Sequence, residues 1–204
     1  MAITVRVDNN LVETDPNLVR TMGDLVETIK SNLSPETIIS SIKLAGKDLT
    51  ENDWRTPIAV QQQSTIEFST CGKFEYLADR LALAPIHLDE LMKDFTNAKD
   101  NFRTGDTKSA NKLFAGGVTG LKAFFEWYLS ILELTGNDRE RENFESELQT
   151  TLNSCELMLQ QQLYNSWWAL GETVDKKLVP SLERLKGICL KLFGEHERNQ
   201  IARS

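Results

Sequence analysis

Apolar and polar residues alternate in the first part of the chain and then, beyond about residue 84, recur every three or four positions. Ile3, Val5 and Val7 share one face of a strand, with Thr4, Arg6 and Asp8 on the other. Asp8-Asn9-Asn10 supplies a turn, and Leu11 to Thr14 returns as a second strand until Asp15-Pro16-Asn17 interrupts it. Thr21 then caps a helix in which Met22, Leu25, Ile29 and Leu33 have helical spacing, and Ser34-Pro35 ends it, because a residue before proline avoids the helical region. Ile39, Ile42 and Leu44 form a further strand, followed by a polar excursion and a last strand at Ile66 and Phe68. One helix laid across a small mixed sheet buries all of these apolar faces.

From Pro85 onward the pattern predicts four amphipathic helices. The first carries Leu88, Leu91, Phe95, Ala98 and Phe102 and ends at Gly105. The second starts at Asp106, carries Phe114, Val118, Leu121, Phe125, Tyr128 and Leu132, and stops at Gly136. Asn137 and Glu140 form a capping box for the third, whose apolar face is Phe144, Leu148, Leu152, Cys155 and Leu159. The fourth carries Trp167, Leu170, Val174, Leu178, Leu182, Leu185, Cys189 and Leu192, with a kink or broken start expected at Pro180. Short connections favour antiparallel neighbours. The expected fold is therefore α+β: a sheet domain over residues 1–72, a linker or docking segment over 73–84, and an antiparallel four-helix bundle over 85–204. Phe74, Leu77 and Leu81 favour docking for the middle segment.

Ala45-Gly46-Lys47-Asp48-Leu49, the excursion to Ile58 and Ser64-Thr65-Ile66-Glu67-Phe68 resemble the second half of ubiquitin and its relatives. Ile3 to Val7 resembles the first ubiquitin strand, and the segment from Thr21 through Leu25 and Ile29 its helix. The resemblance covers residues 1 to about 70 and implies a β-grasp fold. It also departs from the family where the family binds and conjugates. Lys43 stands at the apolar centre of the recognition patch, Ser69 at a second patch position, and Cys71-Gly72-Lys73 runs on into more protein in place of a free Gly-Gly tail. Lys47 occupies the place of a chain-linking lysine and reads as a solvated turn residue. The resemblance thus implies a module and not a modifier.

The helices "GDTKSANKLF…GLKAFFEWYLSIL" and "SWWALGETVDKKLVPSLERL" are similar to those of bacterial flagellar-export-chaperone-type proteins. That similarity implies a groove that binds a helical segment of another protein.

A net charge of −7 and a pI near 5.0 weigh against a nucleic-acid partner, which requires a basic face. Neither a signal-peptide pattern nor a membrane-length apolar run is visible, so no membrane association and a cytoplasmic location are expected. Cys71, Cys155 and Cys189 lack the paired spacing of a disulfide framework or zinc knuckle. His87 and His196 are far apart in sequence and read as surface residues. Gly116-Gly117 reads as a close helix contact, and the acidic group from Glu133 to Glu147 as a solvated face. No catalytic, cofactor or metal residues are expected.

The aromatics stand out. Phe124-Phe125-Glu126-Trp127-Tyr128 and Trp167-Trp168 put large rings on more than one helical face. One core cannot take them all, and leftover aromatics suit interfaces. Phe124, Trp127, Trp167 and Trp168 are therefore the candidate partner-binding residues. The expected function is a non-enzymatic adaptor or chaperone-like interaction protein that binds another protein mainly through the bundle. A self-assembling component, for example a homodimer through Trp127 and Trp168, is the alternative. A small-ligand binder or enzyme with a pocket between the domains is the third.

Overall fold

In a computed structural model, which describes residues 4–14, 21–50, 53 and 65–201, Asp8 and Asn9 both adopt left-handed backbone, with φ of 49° and 66°. Two such residues make the tight turn whose twist matches a hairpin. It joins β1 (Thr4–Val7) to β2 (Asn10–Val12), with Val7 opposite Asn10. The Asp8 carboxylate accepts from the Thr70 backbone N–H at 2.8 Å and from the Thr70 hydroxyl, which ties the turn to the last strand. Ile3, Asp15-Pro16-Asn17 and Ile58 lie outside the described residues.

α1 (Met22–Asn32) opens with a reciprocal cap. The Asp24 N–H donates to Thr21 Oγ1, and the Thr21 N–H donates to Asp24 Oδ2 at 2.9 Å. β3 (Thr37–Leu44), β4 (Lys47–Asp48) and β5 (Thr65–Gly72) complete a five-stranded sheet in the order β2-β1-β5-β3-β4. β1 and β5 are parallel and the other pairs are antiparallel. Ile39 and Ile42 are both buried although they are three apart, a spacing that strict alternation forbids. The register skips Ser40, a bulge that resets the faces, and the Ser40 hydroxyl donates to the Ser69 carbonyl at 3.1 Å. Val5, Ile42, Ile66 and Phe68 from the sheet and Met22, Leu25 and Ile29 from α1 form one core.

The chain divides into two compact units, Met1–Tyr76 and Leu77–Ser204. The first long helix, α2, runs from Lys73 to Thr104 and so starts well before Pro85. Pro85 removes one intrahelical donor without ending the helix, because Leu77, Leu81 and Ala84 extend the same buried stripe as Leu88, Phe95 and Phe102. The segment 73–84 is therefore helical. Gly105, with φ of 86°, turns the chain into α3 (Thr107–Thr135), and Gly136, with φ of 65°, turns it again.

α4 (Asp138–Leu163) departs from expectation twice. Asn137 caps it by accepting from the Glu140 N–H at 3.2 Å, but the Glu140 carboxylate is buried and bound to Lys191 at 2.6 Å. The acidic group is thus not wholly a solvated face. The helix is also rotated: Thr151, Ser154 and Met158 face the core with Phe144 and Cys155, while Leu152 and Leu159 are exposed. A polar network accounts for the rotation. The Thr151 and Ser181 hydroxyls lie 2.8 Å apart, and Glu147 accepts from Ser181 and from Arg184.

The last helical stretch consists of α5 (Trp167–Thr173), a π turn over Val174–Leu178 and α6 (Val179–Ile201), with no break between them. The wide turn lies just before Pro180, and the Val179 N–H reaches the Val174 carbonyl. Lys99–Asp175 at 2.8 Å, to the π turn, and Asp89–Lys186 at 2.6 Å, to α6, run α2 antiparallel to this stretch. Among the described residues five helices thus follow a five-stranded mixed sheet, an α+β arrangement. Among the described residues no helix is long and apolar enough to cross a membrane.

Candidate functional site

Between α2 and α3 the small residues Gly116, Gly120 and Ala123 line a groove of about 400 Å³ together with Leu91, Phe124 and Trp127. They follow one another on one side of α3 at helical steps, so their shared lack of bulk opens a channel along the helix. Gly117 and Gly120 bring the two helices close. A Cβ at Gly117 would lie 3.0 Å from the Phe95 ring, and one at Gly120 2.8 Å from Leu91 Cδ2. Gly116 differs, since a Cβ there would meet nothing within 4 Å. Of the adjacent glycines, Gly117 makes the expected close contact and Gly116 faces the groove.

Arg80, His87, Glu90 and Asp94 supply the polar side of the groove from α2. The His87 and Trp127 rings meet edge to face, 5.4 Å between centroids at 85°, and His87 Nδ1 lies 3.6 Å from Glu90 Oε2. His87 therefore belongs to the groove wall and is more than an isolated surface residue. Behind this wall the aromatics pack inward. Phe124 stacks on Tyr128 at 5.7 Å, and Tyr128 meets Phe144 at 4.6 Å. Such offset pairs contribute about 0.5–1.5 kcal/mol beyond their burial. The Tyr128 hydroxyl is enclosed, with the Cys189 sulfur, a weak acceptor, as its neighbour. Burial, with Cys189 and Glu140 nearby, raises its pKa far above that of an ordinary phenol.

The four candidate aromatics do not form one cluster. Phe124 is buried, which corrects its reading as a leftover ring: α3 turns it onto Tyr128 and Phe144 as part of the core. Trp127 is half-buried beside the groove. Trp167 stacks on Phe102 at 4.5 Å and 7°, so most of its face is used internally. Trp168 is 73% exposed and belongs to a different surface, at the start of α5. The composition at Gly116, Gly120 and Ala123 was the available signal for the groove, and their common helical face is what makes it one.

Burial raises the pKa of the Cys155 thiol to about 11 and that of Cys189 to about 12. Among the described residues no group of three or more His, Cys, Asp or Glu side chains is placed to hold a metal ion. No protein-family model matches the chain, and no curated protein or solved structure is significantly similar to it.

Proposed function

We propose that the protein is a non-enzymatic interaction module, adaptor or chaperone-like, whose partner protein is bound mainly by the helical unit. The groove beside Trp127 carries this reading. It has an apolar floor, a half-exposed tryptophan and a few polar groups along one wall, a composition suited to a partner's side chains. The fold assignment belongs to the same proposal. The strand order β2-β1-β5-β3-β4, its parallel β1–β5 pair and α1 over one face support a ubiquitin-like β-grasp unit. The antiparallel α2 and α6, with short turns between α2, α3 and α4, support a four-helix bundle in which α5 and α6 count as one rod. A cytoplasmic location accompanies this reading.

Gly116→Leu is the most selective test, because a Cβ there meets nothing within 4 Å and the larger side chain is placed on the groove lining. A partner captured from host lysate by the full chain, and lost both from Gly116→Leu and from Trp127→Ala, supports the reading. A partner retained by both variants removes the groove from the function.

A further inference from the structure

A pocket of about 290 Å³ lies where α4 meets the π turn, lined by Thr150, Asn153, Ser154, Lys176, Lys177 and Arg184. Three of these six residues are bases and none is an acid, in a chain with 30 acids against 23 bases. Both lysines come from the wide turn, Val174–Leu178. A residue there advances by less than the ~100° of an α-helix, so successive side chains diverge less and the pair reaches one pocket. Asn153 and Ser154 stand three and four residues after Thr150, on one face of α4.

The nearby acids are engaged with one base each or directed elsewhere. Glu147 accepts from Arg184 Nε at 2.9 Å, Glu172 pairs with Lys176, and Asp175 faces Lys99 and Arg103 on α2. Lys177 is exposed and has no hydrogen bond or ion pair among the described residues. Arg184 keeps its two Nη groups as donors. Asn153, whose Oδ1 accepts from Gln149 at 3.1 Å, keeps its side-chain N–H groups. The Thr150 and Ser154 hydroxyls donate to the carbonyls one turn back, so the bases and this amide are the pocket's donors.

We infer that this pocket binds the phosphoryl group of a small phosphate monoester. At neutral pH such a group carries a charge of about −1.5 to −2 and three acceptor oxygens. Cationic donors and an amide supplied from two elements suit several oxygens at once, where a carboxylate offers only two. Glu147 and Glu172 each offset one base, which leaves Lys177 in excess. Lys176 and Arg184 are 72% and 52% exposed, where ion pairs are weak and screened, so either base can turn to a ligand. The volume sits near the lower limit of ligand sites, about 300 Å³, which keeps the ester small. The pocket shares no lining residue with the groove between α2 and α3, so either can fail without the other.

Isothermal titration calorimetry of the full chain with glycerol 3-phosphate at fixed ionic strength tests this, with amide chemical shifts locating the site. The expected result is saturable binding that inorganic phosphate competes away and acetate does not, with shifts centred on residues 150–154 and 176–184. Lys177→Gln breaks no hydrogen bond or ion pair and should weaken binding by roughly tenfold while keeping native circular dichroism and thermal unfolding. Lys122→Gln, at an exposed lysine of α3, should leave binding unchanged. No saturable binding up to about 10 mM overturns the inference. So does binding that acetate abolishes, that Lys177→Gln leaves intact, or that maps elsewhere. A phosphoserine peptide that binds where glycerol 3-phosphate does not also overturns it, since the ligand would then be a phosphorylated protein.

Discussion

The Lys191 ammonium lies 2.6 Å from Oε1 of Glu140, a carboxylate only 3% exposed that Asn143 also reaches at 3.4 Å. An acid buried at the first turn of α4 is thus held charged by a base from α6. The hydrogen bond from Lys191 lowers the Glu140 pKa below the ordinary carboxylate value, against the opposing effect of burial. Because the folded pKa lies below the unfolded one, the stabilisation is full above the unfolded value, about 4.3, and is lost as pH falls through the folded one. Lys191→Met should cost about 1.5–3 kcal/mol at neutral pH, by leaving the carboxylate without its charged partner. In urea unfolding, the gap between wild type and variant should close as pH falls below about 4. A gap independent of pH would refute the linkage.

The adjacent glycines of α3 should respond with opposite sign. Gly116→Ala meets open space and gains helix propensity, so it should stabilise by about 0.5–1 kcal/mol. Gly117→Ala presses a methyl against the fully buried Phe95 ring and should destabilise by roughly 0.5–2 kcal/mol after the propensity gain is subtracted. Thermal unfolding of the two variants side by side decides it.

Alkylation should sort the cysteines. Cys71 is partly exposed on β5, whereas Cys155 and Cys189 are buried and their pKa values are pushed up to about 11 and about 12. Iodoacetamide at about pH 8 should modify Cys71 first in the native protein, with the other two reacting only after denaturation. Peptide mass spectrometry reads the order directly.

Phe124 and Trp168, grouped together by sequence, should part in stability. Phe124→Ala removes a ring packed on Tyr128 and Phe144 and should cost about 3–5 kcal/mol. Trp168→Ala should change the stability of the dilute chain by less than about 0.5 kcal/mol. Comparable losses in chemical denaturation would show that Trp168 packs internally.

Much of the fold was legible because period and turn chemistry agree. Asp8-Asn9, the Thr21 cap and the glycines at 105, 136 and 46 fall where the chain turns or a helix begins or ends. Pro85 misled, because a proline inside a long helix forfeits one hydrogen bond but the burial of Leu77 and Leu81 outweighs it. The face of α4 was misjudged because hydroxyls seldom outcompete leucines for a core. Here Thr151 and Ser181 satisfy one another and Glu147 receives Arg184, so the helix turns its polar side inward. The lining of the groove was harder to read because it is defined by missing volume: Gly116 belongs to a pair that reads as a close contact, and Ala123 carries no chemistry to notice. At the π turn the spacing did hold the answer. Leu170, Val174, Leu178 and Leu182 step by four each time, which in a straight α-helix would drift about 120° over those three steps.

That drift gives the wide turn a role as a phase corrector. The residue it absorbs rotates everything after it by about 100°, keeping Leu182, Leu185 and Cys189 on the buried side of α6. Deleting one residue between Val174 and Leu178 would leave a regular helix with Leu182, Leu185 and Cys189 still on the buried side, whereas winding the same turn into regular helix at full length would bring Arg184 and Lys191 toward the interior. The surplus residue is taken up by the backbone, and the packing after it is spared.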